Sequence, residues 1–224
     1  MFLMSETYTG LIPEGAEMKV HRYMTGSLMV NTYLAYDETK KAFIVDPGGY
    51  SSQLVNDIRE NGLEPEWIIL THGHSDHIGG ISSLQDEFPG IKILANINEK
   101  EMLEDPVMNF SQDMERRAIK VFPDKFVDDG DELKIGDMVL KFIFTPGHSP
   151  GGQSIYVDGV LFSGDTLFQL SIGRTDFPGC DAKAMFKAIK EKLYVLPDET
   201  PVLPGHGEPT KIGLEKEYNY FVRA

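Results

Sequence analysis

The segment Thr-His-Gly-His-Ser-Asp-His-Ile-Gly-Gly, residues 71–80, holds three histidines and an aspartate within six positions. It follows the apolar run Trp67-Ile68-Ile69-Leu70, which reads as a buried strand. Burying titratable groups is costly unless each finds a partner. The chain has six histidines: His21, His72, His74, His77, His148 and His206. All but His21 lie in stretches punctuated by glycine or proline, so they are expected in loops. A fold for this sequence must bring polar loops from distant parts of the chain to one place.

A divalent metal ion explains that requirement. It needs several lone-pair donors converging at about 2.0–2.2 Å. Imidazole and carboxylate suit zinc, iron or manganese. In a locally extended loop, His72 and His74 project the same way, while Asp76 and His77 lie beyond the bend and can face a second ion. Further ligands must come from elsewhere. The candidates are His148 in Thr-Pro-Gly-His, Asp165 in Phe-Ser-Gly-Asp and His206 in Leu-Pro-Gly-His. Each follows an apolar strand and a glycine, which lets backbone approach the site closely. His21, in an expected strand, reads as structural. Cys180 reads as a small residue before a helix, and Trp67 as core.

The rest of the chain reads as strands and helices in alternation. Residues 28–36 and 42–49 form a hairpin-like pair around the polar turn 37–41. Residues 51–62 predict a helix capped by Ser51 and stopped at Gly62. Residues 91–95 predict a strand. Residues 97–105 and 111–120 predict two helices broken at Pro106, and the longer stretch 111–126, with Arg116 and Arg117, is expected to show a solvated face. Two hairpins follow, the second turning at Asp158-Gly159. An amphipathic helix is expected over 181–196, and a last strand and loop over 200–210. Strands that end in polar loops, with helices between them, predict α/β layers with one functional rim.

Composition narrows the function. The 224 residues carry a net charge of −14 and 41% hydrophobic residues. Such an acidic surface repels phosphate backbones, so a nucleic-acid partner is not expected. No run reaches the roughly 18 apolar residues of a membrane span. Residues 1–10 lack the basic and apolar parts of a secretory leader. A single cysteine forms no internal disulfide and fits a cytoplasmic protein. The expected partner is a small-molecule substrate, and the expected state a monomer or small homo-oligomer.

In their order and spacing these motifs resemble the metallo-β-lactamase-fold superfamily, from about residue 18 to the C-terminus. The segments 162–179 and 203–219 are most similar to short bacterial glyoxalase II-like hydrolases, also called hydroxyacylglutathione hydrolases. The resemblance implies a four-layer αββα sandwich, taken as one domain over residues 1–224, with two divalent metal ions, zinc foremost. By motif position His72, His74 and His148 hold one ion, Asp76, His77 and His206 hold the other, and Asp165 bridges them. An aspartate at 165 departs from class B β-lactamases, and His74 departs from flavodiiron proteins. RNA-processing nucleases of this fold are longer and more basic. The 18 residues after His206 predict that the helical domain of full-length glyoxalase II is absent. Arg174 is kept as an anion anchor, whereas Asp176 stands where the family often has tyrosine.

The expected reaction is thioester hydrolysis, as of S-lactoylglutathione, by a metal-bridging hydroxide that Asp76 orients. Arg174 is expected to pair with a substrate carboxylate. The alternative is a mononuclear iron persulfide dioxygenase of the same fold, which the Gly-Arg-Thr-Asp-Phe segment 173–177 also resembles.

Overall fold

The computed structural model describes residues 6–7 and 17–223. Most of residues 1–10, expected not to form a secretory leader, lies outside the described residues. The first half of the chain builds one sheet in sequence order. Its strands are β1 (Glu6–Thr7), β2 (Lys19–Thr25), β3 (Val30–Tyr36), β4 (Lys41–Val45), β5 (Glu64–Ile69), β6 (Lys92–Asn96) and β7 (Lys125–Val127). Strands β1 to β4 pair antiparallel. Strands β4 to β7 pair parallel. The parallel crossovers carry α1 (Ser52–Glu60), α2 (Ser75–Ile78), α3 (Ile81–Glu87), α4 (Lys100–Glu104) and α5 (Ser111–Met114).

The second half builds the other sheet from β8 (Glu132–Ile135), β9 (Met138–Phe144), β10 (Gln153–Val157) and β11 (Val160–Gly164). A two-stranded ribbon, β12 (Leu167–Phe168) with β13 (Ser171–Ile172), interrupts it. After α6 (Ala182–Ala188), which runs on into a wider turn over Ile189–Leu193, β14 (Pro201–Pro204) joins β11 in parallel. Strand β15 (Thr210–Lys211) and α7 (Ile212–Tyr218) complete the layer.

Three apolar clusters define the layering. The central one joins Val20, Tyr33, Phe43, Val45, Ile69 and Leu94 of the first sheet to Leu140, Phe142, Ile155, Phe162 and Leu203 of the second. Phe162 lies edge-on to Tyr33 at 5.3 Å and to Phe43 at 6.0 Å, so both sheets meet at this ring. A second cluster packs Leu54, Val55 and Ile58 of α1 and Ile78, Ile81 and Leu84 of α2 and α3 on the outer face of the first sheet. A third packs Met185, Ile189, Leu193 and Ile212 on the outer face of the second. The result is the expected αββα sandwich. Every residue of β3 is buried, the polar Asn31 and Thr32 included.

Local signals act as expected at several ends. The Ser51 side chain accepts from Leu54 N–H and caps α1. Gly62, at φ +62°, closes it. The Asp158-Gly159 turn has φ of +48° and +77°, the type I′ turn that suits a tight hairpin.

One stretch differs from expectation. Helix α5 covers only Ser111–Met114, not residues 111–120. Arg116 adopts a left-handed φ of +53°, and the chain folds back so that Ile119 N–H donates to Ser111 Oγ at 2.9 Å. The stretch does show a solvated face, since Gln112, Asp113, Met114, Arg116, Arg117 and Lys120 are exposed, and Arg117 Nη2 also donates to the Gly79 carbonyl at 2.7 Å. No helix among the described residues is long and apolar enough to cross a membrane.

Candidate metal centre

The carboxyl ends of β4, β5, β9, β11 and β14 open onto one rim, where ligand sites of layered α/β folds form. The loop after β5 carries His72 and His74, and α2 carries Asp76 and His77. The loop after β9 carries His148, the end of β11 carries Asp165 and the end of β14 carries His206. The structure brings all seven together. Donor atoms of His72, His74 and His148 lie within 4.8 Å of one another, as do those of Asp76, His77 and His206. His74 Nδ1 faces His148 Nε2 at 2.9 Å, and His206 Nε2 faces Asp76 Oδ2 at 3.1 Å. Asp165 lies between the triads: its oxygens are 3.5 Å from His77 Nε2, 3.5 Å from His148 Nε2 and 3.7 Å from His206 Nε2.

Backbone geometry enforces this convergence. A Cβ on Gly205 would sit 2.3 Å from Asp165 Oδ1 and 2.8 Å from His77 Cε1. Only glycine lets the strand end come so close.

The outer hydrogen bonds fix which nitrogen of each ring faces inward. His77 Nδ1–H donates to Asp46 Oδ2 at 2.9 Å, and His148 Nδ1–H donates to the Arg174 carbonyl at 2.8 Å. Thr71 Oγ1–H donates to Asp46, which leaves its oxygen to accept from His72 Nδ1–H at 3.1 Å. These three rings are thereby held with Nε2 toward the centre, the arrangement by which outer carboxylates and carbonyls orient metal-binding imidazoles, whereas His74 presents Nδ1.

The donor set fits divalent cations. His72 Nε2, His77 Nε2 and Asp165 Oδ1 are fully buried and have no hydrogen-bond partner among protein atoms. Buried polar atoms are almost always paired, so three orphans at one point mark a place for a cation. The electrostatics divide the site: His72 and His74 are kept neutral, whereas the carboxylates around His77 favour a positive charge that a cation would supply in place of its proton. Burial, reinforced by His148 and His77, pushes the His74 pKa down to about 3 and keeps one ring nitrogen free of a proton. Burial and the surrounding imidazoles likewise hold His72 well below the usual range. Burial also acts to lower His77, but Asp76, Asp165 and Asp46 outweigh it and raise it to about 10. Asp76 is held below the usual carboxylate range: burial opposes this, and His77 and His206 prevail.

Asp46 has the role that sequence reasoning missed. It ends β4 with a left-handed φ of +48°, and it also accepts from Thr71 N–H at 2.8 Å. No local sequence signal marks it, because only the parallel pairing of β4 with β5 brings it to the site.

The centre opens into a cleft of about 480 Å³. Leu28, Phe110, Met114, Phe168, Ile172 and Phe177 give it an apolar wall. Arg174 stands on its rim, forked onto Asp176 by two 2.9 Å hydrogen bonds, with its guanidinium 4.1 Å above the Phe177 ring. Cys180 donates to the His148 carbonyl at 3.0 Å, and burial raises its thiol, so it is no reactive thiolate. His21 stacks on Tyr36 within the first sheet, as expected of a structural residue.

Fold and site together define an αββα protein with two donor triads, joined by one aspartate, at the open edge of its sandwich. Residues 25–206 match the metallo-beta-lactamase superfamily, and the chain belongs to it. It is 38% identical over 208 residues to the Bacillus subtilis protein "Probable metallo-hydrolase YqgX", covering 92% of this chain and 98% of that one. It is 36% identical over 198 residues to "Hydroxyacylglutathione hydrolase GloC" of Haemophilus influenzae, covering 87% and 93%. The crystal structure of BLEG-1, described as a B3 metallo-beta-lactamase, superposes with a TM-score of 0.85 at 38% identity, covering 92% of this chain and 100% of that one.

Proposed function

We propose that this protein is a metal-dependent hydrolase of thioesters, of which S-lactoylglutathione is the type substrate. The observation that carries the reading is the convergence of three orphaned donors, His72 Nε2, His77 Nε2 and Asp165 Oδ1, beside a cleft lined by His74, Asp76, His148, Asp165 and His206 with Arg174 on its rim. The likeness to GloC supports the thioester.

His72, His74 and His148 would hold one cation, Asp76, His77 and His206 a second, with Asp165 shared. Zinc heads the list, and iron or manganese suits the same donors. Bound cations would supply a water acidified towards neutral pH and an electrophile for the substrate carbonyl.

The protein's own groups do the positioning. Asp76 is ionised and lies at the cleft floor, where it accepts a hydrogen bond from the attacking water and aims its lone pair at the acyl carbon. His77 is held by Asp46 and His148 by the Arg174 carbonyl, so neither ring turns during the reaction. The apolar wall of Phe110, Phe168 and Phe177 excludes bulk water from the acyl group. Arg174 offers its fork to a substrate carboxylate, which displaces Asp176. The leaving thiolate, from a thiol of pKa near 8.5, departs without a strong general acid.

The test pairs metal analysis with two assays on the purified protein: hydrolysis of S-lactoylglutathione, and oxygen uptake with glutathione persulfide. Thioester turnover that tracks two ions per chain is the expected result. Oxygen uptake that tracks one iron per chain would overturn it and assign the protein to persulfide oxidation.

A further inference from the structure

The first histidine triad is assembled from both sheets. His72 and His74 come from the loop after β5, and His148 comes from the loop after β9. Nothing covalent joins these loops. Between them lies Glu99, in the turn Ile97–Glu99 that follows β6. Its side chain is only 1% exposed, and no step of the proposed reaction uses it.

We propose that Glu99 is a positioning residue that holds the two loops of the first triad in register. Its Oε2 accepts from Gly73 N–H at 2.9 Å, between His72 and His74. Its Oε1 accepts from Ser149 Oγ–H at 2.5 Å and Gly151 N–H at 2.6 Å, just beyond His148. One carboxylate therefore grips both ligand loops, one oxygen to each. Bonds from neutral donors to an ionised acceptor are among the stronger ones available.

The surrounding backbone is shaped to this grip. A Cβ on Gly73 would lie 2.9 Å from Glu99 Oε2, and one on Gly151 would lie 2.4 Å from Glu99 N. Both loops thus come closer to Glu99 than any other residue type at these positions would allow. The side chain also has to be a carboxylate. All three partners donate, on both of its oxygens, and a glutamine would turn its amide N–H₂ against at least one of them. No cationic side chain is among these partners in the described residues. A desolvated carboxylate without a counter-charge is expensive. Cations in the loops that it grips would supply that charge.

The inference rests on the metal-centre reading, and the experiment separates the two. Full-length wild type, Glu99→Gln and Ser149→Ala are stripped with chelator and titrated with zinc against a chromophoric competitor. Cobalt titrations follow the coordination bands. A further variant, Glu215→Gln, controls for general loss of a buried carboxylate. Glu215 is equally buried, and it accepts from Leu170 N–H and from the Asn219 side chain. Wild type is expected to bind two ions. Glu99→Gln should weaken one of them roughly 10–100-fold, the range seen when outer partners of metal ligands are lost, and alter the cobalt bands. Ser149→Ala should weaken the same ion roughly fivefold, as for one net hydrogen bond, and it decides the matter if Glu99→Gln does not fold. Glu215→Gln should lower the melting temperature of the stripped protein and leave both affinities intact. Wild-type affinities in both Glu99→Gln and Ser149→Ala would overturn the inference. So would equal weakening by Glu215→Gln. A wild-type protein that binds neither ion would remove the metal-centre reading, and this inference with it.

Discussion

His77 Nδ1 lies 2.9 Å from Oδ2 of Asp46, an aspartate 31 positions upstream that belongs to no histidine motif. The contact fixes the ring and its tautomer at once. Asp46→Asn keeps the shape of the side chain, but it can present N–H₂ to His77. Nδ1 then accepts, and the proton moves to Nε2, where a cation should bind. Zinc affinity should fall roughly 10–100-fold with little change in secondary structure. Competitive zinc titration checks this, and unchanged affinity would refute the role assigned to Asp46.

Arg174 and Asp176 form a pair whose side chains are both about two-thirds exposed. Exposed pairs contribute about 0–1 kcal/mol, so a substrate anion can compete for Arg174. Asp176→Asn should lower KM for carboxylate-bearing thioesters by up to roughly fivefold, with kcat unchanged. Arg174→Ala should raise KM for the same substrates. The double variant should resemble Arg174→Ala alone, since Asp176 acts only through Arg174. Steady-state kinetics on a charged and a neutral thioester checks this; Arg174→Ala with wild-type KM on both would sink the anchor role.

Chelator-stripped protein should lose stability on both sides of pH 6.5. Burial lowers His72 and His74 in the fold, His74 to about 3. A depressed histidine stabilises the fold above its unfolded pKa of about 6.5, and that stability drains away as pH falls toward 3. His77 has the opposite sign. Raised to about 10, it stabilises the fold below 6.5, and its contribution is lost as pH rises toward 10. Two histidines act on the acid side and one on the alkaline side, so the acid arm should be steeper. His74→Asn should flatten it. Melting temperatures from pH 4 to pH 10 give the curve, and a flat acid arm in the wild type contradicts the assignment.

Phe162 is fully buried where the two sheets meet, against Tyr33 and Phe43. Phe162→Ala removes a large apolar side chain from a site walled by both sheets, with little room to collapse. The expected cost is about 3–5 kcal/mol, read from denaturant midpoints. A loss below about 1 kcal/mol would mean that the sandwich repacks there.

Much of this architecture was legible in the sequence because its signals are local. Ser51, Gly62 and the Asp158-Gly159 turn each act within a few residues, and the structure places them as expected. His72, His74, Asp76 and His77 announce themselves by spacing alone. His148, Asp165 and His206 could be picked out because each follows an apolar strand and a glycine. Asp46 and Glu99 could not, since their roles depend on which strands lie side by side. Asp46 sits in Asp-Pro-Gly-Gly and reads as a turn former; only the parallel pairing of β4 with β5 brings it to His77. Glu99 sits among surface-like charges, and only the meeting of two sheets buries it. The reading of residues 111–120 as a helix failed because the left-handed backbone at Arg116 and the return of Ile119 to Ser111 override local propensity.

The donors that face each other across the rim are far apart in the chain. His74 and His148 are separated by 74 positions, and Asp76 and His206 by 130. A cation held across either pair would close a long chain loop, as a disulfide does in secreted proteins. The entropy of loop closure grows only with the logarithm of length, so the two closures would constrain the unfolded chain almost equally. With a single cysteine, this chain has no internal disulfide to do the same. Its metal ions would then serve as its cross-links, and resistance to heat and proteases should track metal loading even in a variant that no longer turns over substrate.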